Sequence, residues 1–184
     1  MLGSSNEKQT KIRTMKTIKL MASALVLIAF ANSAKAQSTA TATATATIVT
    51  PISITKNVDM NFGNIAVTAS GGSVILAPAG TRSATGGVTL PVVNGTVSAA
   101  SFTVAGQGSY TYDITLPSAA VVLTSGANTM NATAFTCNIG VTAGALSAGG
   151  TQVINVGATL GVSAAQAAGT YVTGTPFSVT VNYN

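Results

Sequence analysis

Past Ala36, the side chains able to do acid–base, metal or nucleophilic chemistry are few. They are Asp59, Asp113, Lys56, Arg82, Cys137 and the tyrosines, and the chain has no histidine. A metal centre needs several donors brought together, and two acids distant in sequence with one thiol do not supply them. Asp113 alternates with apolar neighbours on the polar face of a predicted strand, and Asp59 stands alone. Both are read as solvated or turn residues rather than a carboxylate pair for general acid–base work. Cys137 sits in Phe135-Thr136-Cys137-Asn138-Ile139, where alternation puts Phe135, Cys137 and Ile139 on one face. It is read as a small buried hydrophobe, since a reactive thiolate wants a histidine or cation beside it. As the single cysteine it can form no intrachain disulfide, which leaves only an intermolecular one open. Gly86-Gly87 and Gly149-Gly150 have no helix and lysine behind them, so no phosphate cradle is expected. The expectation is a protein without catalytic residues, cofactor or metal.

Charge points the same way. The whole chain carries +5, but Lys8, Lys11, Arg13, Lys16, Lys19 and Lys35, offset by Glu7, all precede Gln37. From Gln37 to Asn184 only Lys56, Arg82, Asp59 and Asp113 remain, and they cancel. A neutral domain releases few counterions from phosphates, so nucleic acid is not an expected partner.

The positioning of that charge is explained by export. Met15-Lys16-Thr17-Ile18-Lys19 reads as a basic n-region with Met15 as the start, Leu20 to Phe30 as an apolar h-region, and Ala34-Lys35-Ala36 as a small-x-small cleavage site. The apolar stretch is shorter than the roughly twenty residues a spanning helix needs, so no membrane anchor is expected in the mature chain. Residues 1–36 are therefore assigned to an extension and secretory signal peptide, 37–47 to an Ala/Thr segment, and 48–184 to one domain. The expected location is the periplasm in transit, then the cell surface or an extracellular fibre.

The body of the chain is rich in Ala, Thr, Val, Gly and Ser, with period-two alternation at short spacing. That pattern marks an antiparallel sandwich or barrel. Strands are predicted over 48–54, 73–78, 88–93, 96–104, 109–116, 121–123, 133–139, 151–162 and 177–184. Asn94-Gly95 is read as a two-residue hairpin turn, and 163–168 as a short helical turn. The fold class is all-β, an immunoglobulin-like β-sandwich.

Ser38 to Ile48 is an unusual alternation, with Ala40, Ala42, Ala44, Ala46 and Ile48 on one face and threonines on the other. Three readings stand: a loose N-terminal tail, a donor strand that completes a neighbour's sheet, or a threonine face for a repeating lattice.

Several pieces occur in a fixed order: Phe62-Gly63, Gly71-Gly72-Ser73-Val74, Gly86-Gly87-Val88, Ala100-Ser101-Phe102-Thr103-Val104-Ala105-Gly106 and Tyr112-Asp113-Ile114-Thr115-Leu116-Pro117. Gly157-Ala158-Thr159-Leu160, Gly169-Thr170-Tyr171 and Phe177-Ser178-Val179-Thr180-Val181-Asn182-Tyr183 follow. From Ile48 to Tyr183 the chain resembles the exported bacterial domain-of-unknown-function family 4402, whose sequences look like relatives of spore coat U and fimbrial subunits. The resemblance implies a pilin-like fold, incomplete in itself and completed by a neighbour's N-terminal strand. It places Ala40, Ala42, Ala44, Ala46 and Ile48 in the donor strand. Phe177, Val179, Val181 and Tyr183 then lie on the last strand, beside the groove and a chaperone. The implied partners are further copies of the chain, a periplasmic chaperone and an outer-membrane usher. Pilins commonly carry a glycine shortly before the last strand, and here Tyr171 stands there, between Gly169 and Gly174.

The functional expectation is an exported structural subunit of a bacterial surface fibre or layer, assembling by β-strand complementation. The alternative is a monomeric secreted adhesin or carbohydrate-binding sandwich, against which the absence of tryptophan weighs.

Overall fold

A computed structural model describes residues 10, 11, 13–16, 37–141 and 144–184. The chain divides into two units, Met1–Ala46 and Thr47–Asn184. In the first, residues 10, 11 and 13–16 are helical, while 37–46 are exposed and enter no strand. Most of the expected signal peptide, including Leu20 to Phe30 and the cleavage site, lies outside the described residues. Among the described residues, no helix is long and apolar enough to cross a membrane.

The second unit is built of strands. These are β1 (Ser53–Val58), β2 (Ala66–Leu76), β3 (Arg82–Thr89), β4 (Ala100–Ala105), β5 (Thr111–Thr115) and β6 (Val121–Ser125). β7 (Asn128–Cys137), β8 (Gly144–Ala145), β9 (Thr151–Val162), β10 (Val172–Thr173) and β11 (Thr180–Tyr183) follow. The long sheet runs β1-β4-β9-β7-β6-β10, with β2 joined to β9 and β3 to β2, and the second sheet is β11-β5-β8. All pairings are antiparallel. The fold is all-β and sandwich-like, as the alternation predicts.

β9 organises it. Its residues 151–156 pair with β4 and 158–162 with β2 along one edge, while β7 takes the other edge. The change of partner falls at Gly157, where β2 leaves the sheet so closely that a Cβ would collide with the Leu76 carbonyl. Ile154, Val156, Ala158, Leu160 and Val162 all point inward and are buried, matching their predicted phase. Cys137 is partly buried against the core between Phe135 and Ile139, as expected.

Several predicted boundaries need correction. The first strand starts at Ser53, not Ile48, and Ile48 is 97% exposed. The strand predicted from Val88 starts earlier, at Arg82, and Gly86-Gly87 lie inside it where β2 approaches too closely for side chains. Asn94-Gly95 closes no hairpin. Gly95 does adopt φ +64°, but residues 90–97 form a loop whose Asn94 oxygens accept from Arg82. Residues 163–168 hold a single turn and no helix. Tyr110 is expected inward with Tyr112 and Ile114, yet it is 44% exposed and packs edge-on against Tyr183.

Two apolar clusters make up the core. In the first, Phe102 and Val104 of β4 and Ile154 and Val156 of β9 meet Tyr112, Ile114 and Val181 of the second sheet. The second gathers Phe62, Val74, Leu76, Val88, Ala132, Leu160 and Val162. The second sheet contributes no residue to this second cluster, and the loop residues Phe62, Ile65 and Val97 pack there instead. One half of the long sheet is thus covered by loops rather than by the second sheet.

Tyr112 is fully buried, and its hydroxyl donates to Gln152 Oε1 at 2.6 Å. Desolvation first, and then the neighbouring Cys137, push its pKa from 10.0 up to about 12. The unfolded chain therefore ionises this phenol before the folded one does. Its stabilising contribution is complete below pH 10.0 and is lost as pH rises through about 12. Tyr112→Phe should remove that alkaline loss from the denaturation midpoint while leaving other pH dependence intact.

Candidate functional site: an open apolar groove

Beside the second apolar cluster lies a groove of about 910 Å³ within the second unit. Met60, Phe62, Leu123, Met130, Phe135 and Phe177 line it, together with the buried Ala132 and Leu160. Phe135 and Phe177 pack with ring centroids 5.1 Å apart. Met60 and Phe135 touch both core clusters, so the groove opens where the two clusters meet. Polar residues such as Lys56, Asp59, Asn61, Asn64 and Gln166 share the lining with these apolar side chains. Flexible methionines on two sides suit an adaptable surface.

One wall is held by a single cation. Arg82 donates from Nη1 to the Phe62 carbonyl and to the Asn64 carbonyl at 2.8 Å, and from Nη2 to Asn94 Oδ1 at 3.1 Å. The guanidinium fork ties loop 61–65 to loop 92–97, a job a lysine's point charge would do poorly. Gly63, at φ +68°, lies in that clamp, and a Cβ there would strike the Asn94 carbonyl. Two further charges, Lys56 and Asp59, also line the groove. Lys56 and Asp59 pair at 2.6 Å in solvent, and Asp113 is exposed. Among the described residues no cluster of His, Cys, Asp or Glu that could hold a metal occurs.

The point where the N-terminal run joins the domain is fixed by Tyr183. Its hydroxyl donates to the Thr50 carbonyl at 2.8 Å and accepts from Gln107 N–H at 2.5 Å. The Thr50 amide in turn donates to Gln107 Oε1 at 3.3 Å. This knot sits by Ser53 and Ala105, which pair at one end of β1 and β4. The groove begins at the other end, around Val58 and Ala100.

A family model described as a domain of unknown function (DUF4402) matches residues 52–183. The chain belongs to the DUF4402 family. No curated protein and no solved structure matches it significantly. The DUF4402 match opens at the first residue of the Ile52–Ile54 pair that packs into the core, leaving the Ala/Thr run outside.

Within this DUF4402 domain, the four residues expected on the last strand separate. Phe177 lines the groove, Val179 and Val181 are buried in the first cluster, and Tyr183 holds Thr50. Only Thr180–Tyr183 form the strand, pairing with β5 on one edge, and the opposite edge has no ladder partner. Ala40, Ala42, Ala44, Ala46 and Ile48 are exposed and enter no strand. Sequence reasoning missed Met60, Met130 and Leu123, since each reads as an ordinary core residue until the groove they line is seen.

Proposed function

We propose that this DUF4402 protein is an exported structural subunit of a bacterial surface fibre or layer, in which one chain's Ser38–Ile48 run fills the groove of the next. The observation that carries this reading is an open apolar groove in a domain whose own N-terminal run enters no sheet. Cover of the second cluster by loops rather than by the second sheet supports an incomplete immunoglobulin-like sandwich, to which a strand could be added in the groove. Strand addition couples backbone hydrogen bonding to an apolar stripe, and Ala40 to Ile48 offers both. The free edge of β11 carries Thr180, Val181, Asn182 and Tyr183, none of them charged to repel a further strand.

Polarity favours a chain of copies. The run departs at the Thr50 knot, while the groove begins at the far end of β1. Surfaces at different ends make heterologous contacts, which propagate where the geometry does not close on itself. Export through the 1–36 signal, possession of a chaperone partner and delivery by an usher belong to the same proposal.

The carbohydrate reading has less to stand on. Tyr112 is buried, Tyr183 is committed to Thr50, and Tyr171 is bonded to Ala167, leaving Tyr110 as a platform. Hydrogen–deuterium exchange of assembled against monomeric protein tests the proposal. Amides of 38–48 should become protected on assembly together with those around Leu123 and Met130, and a run that exchanges freely in the assembly would refute it.

A further inference from the structure

Residues 163–171 run from the end of β9 to β10 along the groove, and Gln166 to Tyr171 line it. Ala164, Ala165, Ala167 and Ala168 are all exposed, so the segment is not glued down by buried apolar area. Polar bonds hold it instead. Gln166 Nε2 donates to the Thr129 carbonyl of β7 at 3.2 Å and to the Tyr171 hydroxyl at 2.8 Å. Its Oε1 accepts from Ser163 N–H at 3.3 Å, and the Tyr171 hydroxyl donates to the Ala167 carbonyl at 2.7 Å. Ala165 N–H reaches the Thr68 carbonyl of β2 at 3.0 Å, from a left-handed backbone of φ +50° that an alanine adopts at a cost.

We infer that this strap is a release catch for the groove, with the Gln166 side-chain amide as its fastener, and that it must lift before a partner strand seats fully. This rests on the reading of the groove as the seat of a partner strand. The strap is fastened at β2 and β7, flanks the groove, and is tied by three solvent-exposed side-chain hydrogen bonds, one part-buried one and one strained residue. Segments with few buried contacts open locally at low free energy, which is what a catch requires. A closed strap keeps single copies from premature association, while strand arrival captures the open form.

A reversible lock tests this. An ideal Cβ on Gly169 would stand 3.4 Å from the Ser125 Cβ, close to the separation a disulfide spans. The full chain carrying Ser125→Cys and Gly169→Cys, with Cys137→Ser to remove the native thiol, is compared oxidised and reduced. Uptake of a fluorescent peptide of sequence 38–48 is followed by anisotropy. The oxidised form should take up the peptide much more slowly, and reduction should restore the rate in the same protein. Gln166→Ala, which removes three side-chain bonds, should speed uptake about tenfold. Equal uptake by the oxidised and reduced forms overturns the catch while leaving strand complementation intact. No uptake by any form, reduced and Gln166→Ala included, overturns complementation and the catch together.

Discussion

A chain lacking Ser38 to Thr47 is expected to fold, to remain monomeric and to form no filaments visible by electron microscopy. The removed run makes no strand, and the domain's first core residues, Ile52 and Ile54, lie beyond it. Folding should therefore survive, with denaturation curves close to those of the intact chain. Assembly should not survive, because the groove's partner has gone. The loss is all-or-none in sign, since no other described segment of similar length is both exposed and alternating. Adding the 38–48 peptide in excess to the truncated chain should occupy the groove and raise its melting temperature by mass action. Unchanged filaments from the truncated chain would remove the donor run from the account.

Gly157→Val should be among the most damaging single changes in the domain. Its backbone marks the change of partner from β4 to β2 on β9, with Ala77 C and Pro78 N only 2.8 Å from an added Cβ. Backbone cannot step aside as a flexible side chain does, so the two strands must part or β9 must bow. A cost of about 3 kcal/mol is expected from overpacking, a large share of a small domain's stability. Gly161→Ala supplies the control, four residues along the same strand. There the nearest neighbour of an added Cβ is the Asn131 carbonyl at 3.7 Å, an ordinary contact. Urea midpoints should fall sharply for Gly157→Val and little for Gly161→Ala. Similar midpoints for both would mean that the handover at Gly157 does not constrain the sheet.

The parts of the fold legible in sequence were those where one strand face is fully buried. In β9, Ile154 to Val162 alternate without interruption, and burial follows the alternation. β5 behaves likewise from Tyr112 to Ile114, and Phe135, Cys137 and Ile139 share the core face as their spacing predicts. Legibility failed where a tertiary contact outvoted a local signal. Gly86-Gly87 fall ahead of the strand predicted from Val88, but they lie inside β3 and are glycines because β2 passes too near for side chains. Asn94-Gly95 carries the hairpin dipeptide, and Arg82 claims its oxygens for a loop instead. Ile48, Ile52 and Ile54 look like one strand, yet the Tyr183–Thr50–Gln107 knot intervenes, and the ladder starts only at Ser53.

The groove itself was not legible. It arises where loops rather than the second sheet pack beside Leu160 and Ala132, and no local pattern encodes that arrangement. The clearest traces are Met60, Met130, Phe135 and Phe177, four scattered side chains that converge only in three dimensions. The Ala/Thr run was visible from its alternation alone, while its role depended on the groove. The neutrality of the chain past Ala36 acquires a structural meaning here. The free edge of β11 carries no charge, one of the usual deterrents to strand addition, while Lys56 and Asp59 are the charges that line the groove.

The central claim is that the run of one copy lies in the groove of another, alanines inward. It is tested most directly by two singly substituted chains, both carrying Cys137→Ser, one with Ala44→Cys and the other with Met130→Cys. Mixed and assembled under mild oxidation, they should form a disulfide joining the two different chains. Moving the first cysteine to the opposite face, as Thr43→Cys, should abolish that link, because successive side chains of a strand point to opposite sides. Assembled material in which Ala44→Cys forms no link to Met130→Cys, or links no better than Thr43→Cys, would contradict the account.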